Sequence, residues 1–148
     1  MAPQIIRARP PLKSAAALLK AHGLPAADLT EDHLQHFFFL GSDGSPLGLI
    51  GLEIYGADAL LRSLVVAEGE RGRGLGSQLV ERAEDYAASQ GSSTIYLLTM
   101  TAERFFARLG YRRIERMQAP PAIQGTREFA NLCPESAAFM TKLLRGAL

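Results

Sequence analysis

A glycine-rich segment, Arg71-Gly72-Arg73-Gly74-Leu75-Gly76, constrains the fold of this chain more than any other stretch. The preceding run from Leu60 to Val66 is apolar and partly β-branched, which is typical of a buried strand. Apolar residues then recur at helical spacing, and Gly91 marks the predicted end of the helix. Alternate glycines leave backbone N–H groups unshielded where this helix begins, and the helix dipole and two arginines also favour an anion there. The segment therefore predicts a turn that binds a phosphate or a diphosphate.

Other glycine-loop classes fit this segment less well. A Walker loop needs Gly-Lys followed by Ser or Thr, which is absent, and the dinucleotide fingerprint needs a third glycine where Ser77 stands. The loop also does not follow the first strand of the chain, as it normally does in a Rossmann unit. A plain surface turn stays open as the alternative.

Two blocks of the sequence carry a family resemblance. Arg71-x-x-Gly74-x-Gly76, after a strand that ends in Leu64-Val65-Val66, resembles the acetyl-CoA loop of the GCN5-related N-acetyltransferases (GNAT). Phe105-Phe106-Ala107-Arg108-Leu109-Gly110-Tyr111 resembles the later helix-turn-strand signature of the same family. The resemblance extends over most of the chain and implies an acetyl-CoA-dependent enzyme.

Within the family, the sequence is most similar to the small acetyltransferases of arsenic-resistance operons. These are themselves similar to the acetyltransferase domain of N-acetylglutamate synthase. The stretches that suggest this are Tyr96 to Ala102 and Thr126 to Ser136. The name of the operon describes which genes lie beside the acetyltransferase gene and does not name a substrate.

Turn signals and periodicity, taken with the family order, predict an α+β fold with a mixed, mostly antiparallel sheet of six to seven strands and about four flanking helices. Strands 4 and 5 are expected to splay apart, as in the family. The predicted strands are 5–9, 37–40, 47–55, 60–66, 93–99, 111–117 and 137–143. The predicted helices are 12–21, a short one capped within 28–32, 74–90 and 102–109, with a helical or irregular segment over 120–132.

Length and composition narrow the function classes. The 148 residues fit one domain, 1–148. The 16 basic and 15 acidic residues give a net charge of +1, which argues against nucleic acid as a partner. The sequence contains no apolar run of membrane-spanning length and no signal peptide, so we expect a cytoplasmic protein. A homodimer is expected from family habit alone. One cysteine and three scattered histidines do not indicate a metal site.

The resemblance implies a cofactor site at the splayed strands. The pantetheine arm is expected along the backbone of Leu64, Val65 and Val66, with the N–H of Val66 as the oxyanion donor. The diphosphate is expected on the loop and first helical turn, which comprise Arg71, Gly72, Arg73, Gly74, Leu75, Gly76 and Ser77. The position that often carries a thiolate-protonating tyrosine in the family is Phe106 here. The thiolate would then leave unaided, or with help from water or from a hydroxyl of Tyr96, Thr99 or Thr101.

Candidate acceptor-side residues come from charges in apolar surroundings. Glu53 interrupts an apolar strand, which suggests a general base, and a cross-strand ion pair with Arg62 is the open alternative. Arg62 and Arg127 are the candidates to bind a carboxylate of the substrate. Ordinary salt bridges are the alternative for both.

These observations predict an N-acetyltransferase that acts on a small amino-acid-like amine. Direct transfer is expected over an acetyl-cysteine intermediate, since Cys133 lies in the tail and is not expected beside the cofactor strand. An acyl-CoA sensor without catalysis, suggested by Phe106, and an enzyme acting on a protein amine are the alternatives.

Overall fold

The computed structural model describes residues 6–67, 69 and 74–144, apart from the side chains of 131 and 132. Seven strands of these described residues form one sheet in the order β1-β2-β3-β4-β5-β7-β6. Among these seven, only β4 and β5 are parallel neighbours. The strands are β1 (Arg7–Ala8), β2 (Phe37–Gly41), β3 (Pro46–Tyr55), β4 (Asp58–Val66), β5 (Thr94–Thr99), β6 (Arg112–Arg113) and β7 (Ala138–Leu143).

In the described part of the chain, four α-helices flank the sheet, and short helical turns fill several connections. The α-helices are α1 (Leu12–Ala21), α2 (Leu75–Ser89), α3 (Glu103–Arg108) and α4 (Pro121–Gln124). Among the described residues, His33–His36 and Arg116–Gln118 form 3-10 turns and Glu128–Leu132 forms a π-helical turn. The predicted fold class is thus confirmed.

Both faces of the sheet are covered, and β2 shows why the sequence requires this. Successive side chains of a strand point to opposite faces, and all of Phe37 to Leu40 are apolar. Phe38 packs in the core that contains α2, whereas Phe37 and Phe39 pack in the core that contains α1. The ring of Phe37 also lies over its partner Gly51, where an added Cβ would be 2.2 Å from a ring atom.

The predicted bounds agree with the structure to within one or two residues for most elements. Ile5, in the predicted first strand, lies outside the described residues. The short helix predicted to be capped within 28–32 was placed too early, because the turn begins at His33 and the carboxylate of Asp28 binds Arg62. The sixth strand was predicted too long. It ends at Arg113, and Glu115 then forms a capping box with Gln118 that starts a 3-10 turn.

Candidate active site

A cleft opens between β4 and β5. The two strands pair only at Asp58–Thr94, Ala59–Ile95 and Leu60–Tyr96, although each continues beyond this point with its outer neighbour. The resulting cavity has a volume of about 530 Å³. Its walls come from 61–64 of β4, from 97–102, which follow the last residue of β5 that pairs with β4, and from the segments at 22–25 and 133–134, together with Phe106, Glu128 and Ala137. The splayed strands predicted by the resemblance are therefore present.

A β-bulge in β4 accompanies the opening. Leu49 pairs with Val65 and Gly51 with Arg62, so two residues of β4 face one residue of β3. Ser63 within this bulge has a φ of 63°, which is costly for a residue with a Cβ, by about 1–3 kcal/mol. A bulge bends its strand and increases the local twist, and this bulge lies where β4 no longer pairs with β5.

The cofactor-loop predictions fall partly within the described chain. Arg71, Gly72 and Arg73 lie outside it. Gly74 is the N-cap of α2 and has a φ of 74°, a conformation that favours glycine. The first-turn amides of a helix have no partner within the helix, so Leu75, Gly76 and Ser77 occupy positions suited to an anion.

Gly76 also has a packing role that sequence reasoning did not identify. A Cβ at Gly76 would lie 3.2 Å from the ring of Phe105, so glycine lets α2 approach α3 closely. Phe106, on the same short helix, is buried and packs edge-to-face against Phe105 and Tyr111. It lines the cleft, together with Thr99 and Thr101 but without Tyr96.

The three predicted arm-binding residues differ in environment. Leu64 lines the cleft, whereas the side chain of Val65 is buried in the core that contains α1. Val66 ends β4, lies opposite Gly48 and packs against the core that contains α2. Only backbone atoms were predicted to bind the arm, so these side-chain directions leave that prediction open.

Arg62 lies at the centre of a buried ion cluster, and its guanidinium contacts three carboxylates. Nη1 donates to Asp28 Oδ2 at 2.5 Å and to Glu53 Oε2 at 2.8 Å. Nη2 donates to Asp28 Oδ1 at 2.8 Å and lies 3.2 Å from Glu128 Oε1. Nε donates to the hydroxyl of Ser63 at 3.0 Å.

This geometry favours the structural alternative for the Glu53–Arg62 pair. Burial tends to lower the pKa of Arg62, but its hydrogen bonds to Asp28 and the nearby carboxylates raise it overall, so the guanidinium stays charged. The Arg62 side chain is fully buried and its donors are directed at protein atoms. Glu53 also accepts a hydrogen bond from Tyr55. Arg127, the other candidate for a substrate carboxylate, is exposed.

Sequence reasoning missed Asp28 and Glu128 as members of this cluster. Asp28 was interpreted as a helix cap, and Glu128 was part of the family resemblance without an assigned role. Their only sequence signal is a carboxylate next to apolar residues, which is common on protein surfaces. The contacts join segments 34 and 66 positions away from Arg62, a separation that periodicity does not reveal.

The expectation that Cys133 lies away from the cofactor strand is wrong. Cys133 lines the cleft with Leu64, because the π-helical turn carries the tail back over β4. Its thiol donates to Glu128 Oε2 at 3.2 Å. Burial and the Glu128 carboxylate raise the pKa of the thiol to about 12, so it is protonated and weakly nucleophilic at neutral pH.

The structure brings Asp28, His33 and Glu53 together, with potential ligand atoms within 4.8 Å of one another. Both carboxylates already accept hydrogen bonds from Arg62. A metal ion there would lie beside the guanidinium that both carboxylates already bind, so these three residues do not fit a metal site. Within the described residues, no helix has the length and apolar character needed to cross a membrane.

The mixed sheet, with a parallel pair that opens beside a helix N-terminus, defines the acetyltransferase class of α+β domain. The sequence profile of the acetyltransferase (GNAT) family matches residues 7–111, and the chain belongs to this family. An uncharacterized N-acetyltransferase of Chlorobaculum tepidum is 34% identical over 108 residues, 72% of this chain and 67% of that protein. The predicted family and the predicted enzyme class, an N-acetyltransferase, are confirmed.

Solved structures show the same fold. N-acetylglutamate synthase from Neisseria gonorrhoeae, in complex with coenzyme A and N-acetyl-glutamate, matches with a TM-score of 0.81 and 20% identity. The match covers 98% of this chain but only 36% of the synthase chain. Rv2747 from Mycobacterium tuberculosis, in complex with CoA and NLQ, matches with a TM-score of 0.75 and 20% identity, covering 95% of this chain and 99% of that one. Both neighbours contain coenzyme A, consistent with the predicted acetyl-CoA cofactor.

Proposed function

We propose that this chain transfers the acetyl group of acetyl-CoA directly to the amine of a small amino-acid-like acceptor. The observation that carries the proposal is the cleft, which begins where β4 and β5 stop pairing after Leu60 and Tyr96. Residues 61–64 of β4 and 97–99 of β5 line this opening without pairing to each other, so their main chain can offer donors and acceptors to an extended ligand. The N-terminus of α2 offers the amides of its first turn to a diphosphate.

The residues of the chain would divide the work as follows. Leu64, Val65 and Val66 would bind the pantetheine arm through their backbone, and the segment 71–77 would bind the diphosphate. The bound cofactor supplies an activated thioester carbonyl. The N–H of Val66 is proposed as the donor that stabilises the oxyanion in the transition state. Phe106 would pack against the cofactor. Thr99 and Thr101 line the cleft, and their hydroxyls are the candidates to protonate the leaving thiolate in place of the family's tyrosine.

Direct transfer is favoured over an acetyl-cysteine intermediate. Cys133 does line the cleft, but its raised pKa of about 12 leaves almost no thiolate at neutral pH. A nucleophilic cysteine needs the opposite environment, with cations or a helix N-terminus to lower its pKa. The carboxylate of Glu128, 3.2 Å from the sulfur, works against this.

The acceptor is proposed to be held mainly through its amine. The guanidinium of Arg62 already binds protein carboxylates, so its N–H groups are not available to a carboxylate of the substrate. Glu53 is a partner of Arg62 and is not proposed as the general base. Arg127 stays a prediction for carboxylate binding. Two structural neighbours are in complex with N-acetyl-glutamate and with NLQ, which supports amino acids as the first acceptor class to test.

The test is thiol release from acetyl-CoA by the purified protein with a panel of amines. The panel should contain the twenty standard amino acids, short alkylamines and a peptide with a free N-terminus and a lysine. Turnover with amino acids supports the proposal, and turnover with the peptide alone supports a protein acceptor. Coenzyme A binding with background thiol release throughout would instead favour the sensor, which the phenylalanine at position 106 suggests.

Several finer expectations stay predictions. A single domain over 1–148, a homodimer, a cytoplasmic location and a link to arsenic resistance come from composition or from the resemblance. Size-exclusion chromatography with light scattering measures the oligomeric state directly.

A further inference from the structure

The ion cluster around Arg62 contains more negative than positive charge. Arg62 is 3% exposed, and the three carboxylates that contact it are exposed by 6% (Asp28), 8% (Glu53) and 6% (Glu128). Buried carboxylates that lack a full counter-charge are costly, so the cluster favours an additional proton or an additional cation.

The three carboxylates are not equivalent. Asp28 makes two hydrogen bonds with the guanidinium, and these outweigh its burial and lower its pKa, so it stays ionised. Glu53 accepts hydrogen bonds from Arg62 and Tyr55, and His33 Nε2 lies 3.9 Å away. Glu128 has the longest contact with Arg62, at 3.2 Å.

Glu128 is also the carboxylate of this cluster that lines the cleft. The π-helical turn that begins at Glu128 places it beside Cys133, and both residues face the cavity between β4 and β5. A positively charged group that enters the cleft would therefore meet the excess negative charge at Glu128.

We propose that Glu128 is the carboxylate that binds the ammonium group of the acceptor and then acts as its general base. This inference rests on the proposed function and assigns a residue to the step that the family chemistry requires. An alkylammonium of pKa about 10 is only about one part in a thousand neutral at pH 7, so it must lose a proton before it attacks.

The proton balance is complete without any further reactant. The acceptor ammonium gives one proton to the Glu128 carboxylate and becomes a neutral amine. The C–N bond then forms and the C–S bond breaks, and the second proton that the nitrogen loses goes to the departing thiolate. Glu128 finally releases its proton to water, which restores the carboxylate.

The electrostatics of Glu128 suit this role. Burial raises the pKa of its carboxyl, by more than the guanidinium of Arg62 and the thiol of Cys133 lower it, and the charges of Asp28 and Glu53 add to the rise. A base of raised pKa is a better proton acceptor near neutral pH than an ordinary carboxylate. The thiol of Cys133 donates to Oε2, so Cys133 is a positioning residue for this carboxylate.

The decisive measurement is the pH dependence of kcat/KM between pH 6 and pH 10 for each amine of the panel that turns over. Glu128→Gln should lower kcat/KM about 10²- to 10⁴-fold at pH 7, and the loss should shrink toward pH 10 as the amine loses its proton to solvent. Glu53→Gln, in the same ion cluster but outside the cleft lining, is the matched control and should keep the wild-type pH profile. Glu128→Asp should keep the profile at a reduced kcat.

The outcomes separate this inference from the function on which it rests. If the wild type turns over but Glu128→Gln retains its pH profile, or Glu53→Gln shows the pH-dependent loss, Glu128 is not the base. If the wild type turns over no amine, the proposed function fails and the assignment fails with it. Should Glu128→Gln not fold, the Glu128→Asp profile decides, because a lost wild-type pH profile in that folded variant would overturn the proposal.

Discussion

Replacing Arg62 with methionine removes the cation from the buried ion cluster and should destabilise the protein strongly. The side chain keeps a similar length, but three carboxylates lose four contacts of 2.5 to 3.2 Å with the guanidinium. Removing one partner of a buried ion pair typically costs about 3–5 kcal/mol. Because whole domains have unfolding free energies of about 5–15 kcal/mol, this is a large fraction of the total.

The cost in this variant should depend on pH, and its sign follows from linkage. Without Arg62, the interactions that lower the pKa values of Asp28 and Glu128 are lost, so burial raises the folded-state pKa of both carboxyls above the unfolded value. The folded variant then binds more protons than its unfolded state, so its unfolding free energy rises as the pH falls from 7 toward 5. Neutralising one carboxyl of pKa about 4 costs about 4 kcal/mol at pH 7 but only about 1.4 kcal/mol at pH 5. In the wild type the pKa of Asp28 is lowered, so its contribution persists through this window and is lost only below it.

Urea denaturation followed by far-UV circular dichroism at pH 7 and pH 5 measures both effects. We expect a deficit of about 3–5 kcal/mol for the variant at pH 7 and a clearly smaller one at pH 5. Arg113→Met is the matched control, because Arg113 forms an exposed pair with Glu103 at 3.4 Å and should change stability by at most about 1 kcal/mol. A deficit below about 1 kcal/mol at pH 7, or one that does not change with pH, would refute the description of a buried cluster held by Arg62.

Three further predictions concern individual residues. Gly51→Ala should lower the free energy of unfolding by about 1–3 kcal/mol, because the new Cβ would be 2.2 Å from an atom of the Phe37 ring. Gly44→Ala, which has open space around it, should have little effect in the same urea denaturation, and equal stabilities of the two variants would contradict the packing. Gly74→Val should weaken coenzyme A binding, measured by isothermal titration calorimetry, because a β-branched residue is strained at the positive φ of Gly74. Gly56→Val is equally strained, at a φ of 66°, but lies away from the cleft and should keep the wild-type affinity; equal affinities of the two variants for coenzyme A would exclude the loop as the anion site. At pH 8, Cys133 should react with iodoacetamide roughly 10³-fold more slowly in the folded protein than in urea, because folding raises the pKa of its thiol from 9.0 to about 12. Equal rates in the two states would show that the thiol is not buried beside a carboxylate.

Local chemistry explains why much of the fold could be predicted. Helix α1 was predicted at its observed bounds, since Pro10-Pro11 and Gly23 border a run with helical periodicity. The sixth strand was predicted too long because its apolar residues resemble a strand, while a capping box at Glu115 favours a 3-10 turn. Hydrophobic periodicity does not distinguish a continued strand from a 3-10 turn at this point.

The candidate site was predictable only where backbone geometry carries the function. The glycine loop and the apolar strand before it indicate a ligand through their pattern, so Gly74 and Leu64 could be selected from the sequence. Glu53 was selected as an isolated charge in an apolar strand, and its pairing with Arg62 was foreseen as the alternative because a short turn joins the two strands. Glu128 and Asp28 have no comparable local pattern.

The sequence by itself determined the order of elements, the two apolar faces of the sheet and the glycine-rich start of α2, since these depend on residues that are close in the chain. Tertiary structure alone decided the ion cluster beside the cleft. Asp28, Glu53, Arg62 and Glu128 come from four separate segments, and their charges matter because folding removes them from water. Burial brings three carboxylates to one guanidinium and also turns Glu128, an ordinary acidic residue in the sequence, into a candidate proton acceptor.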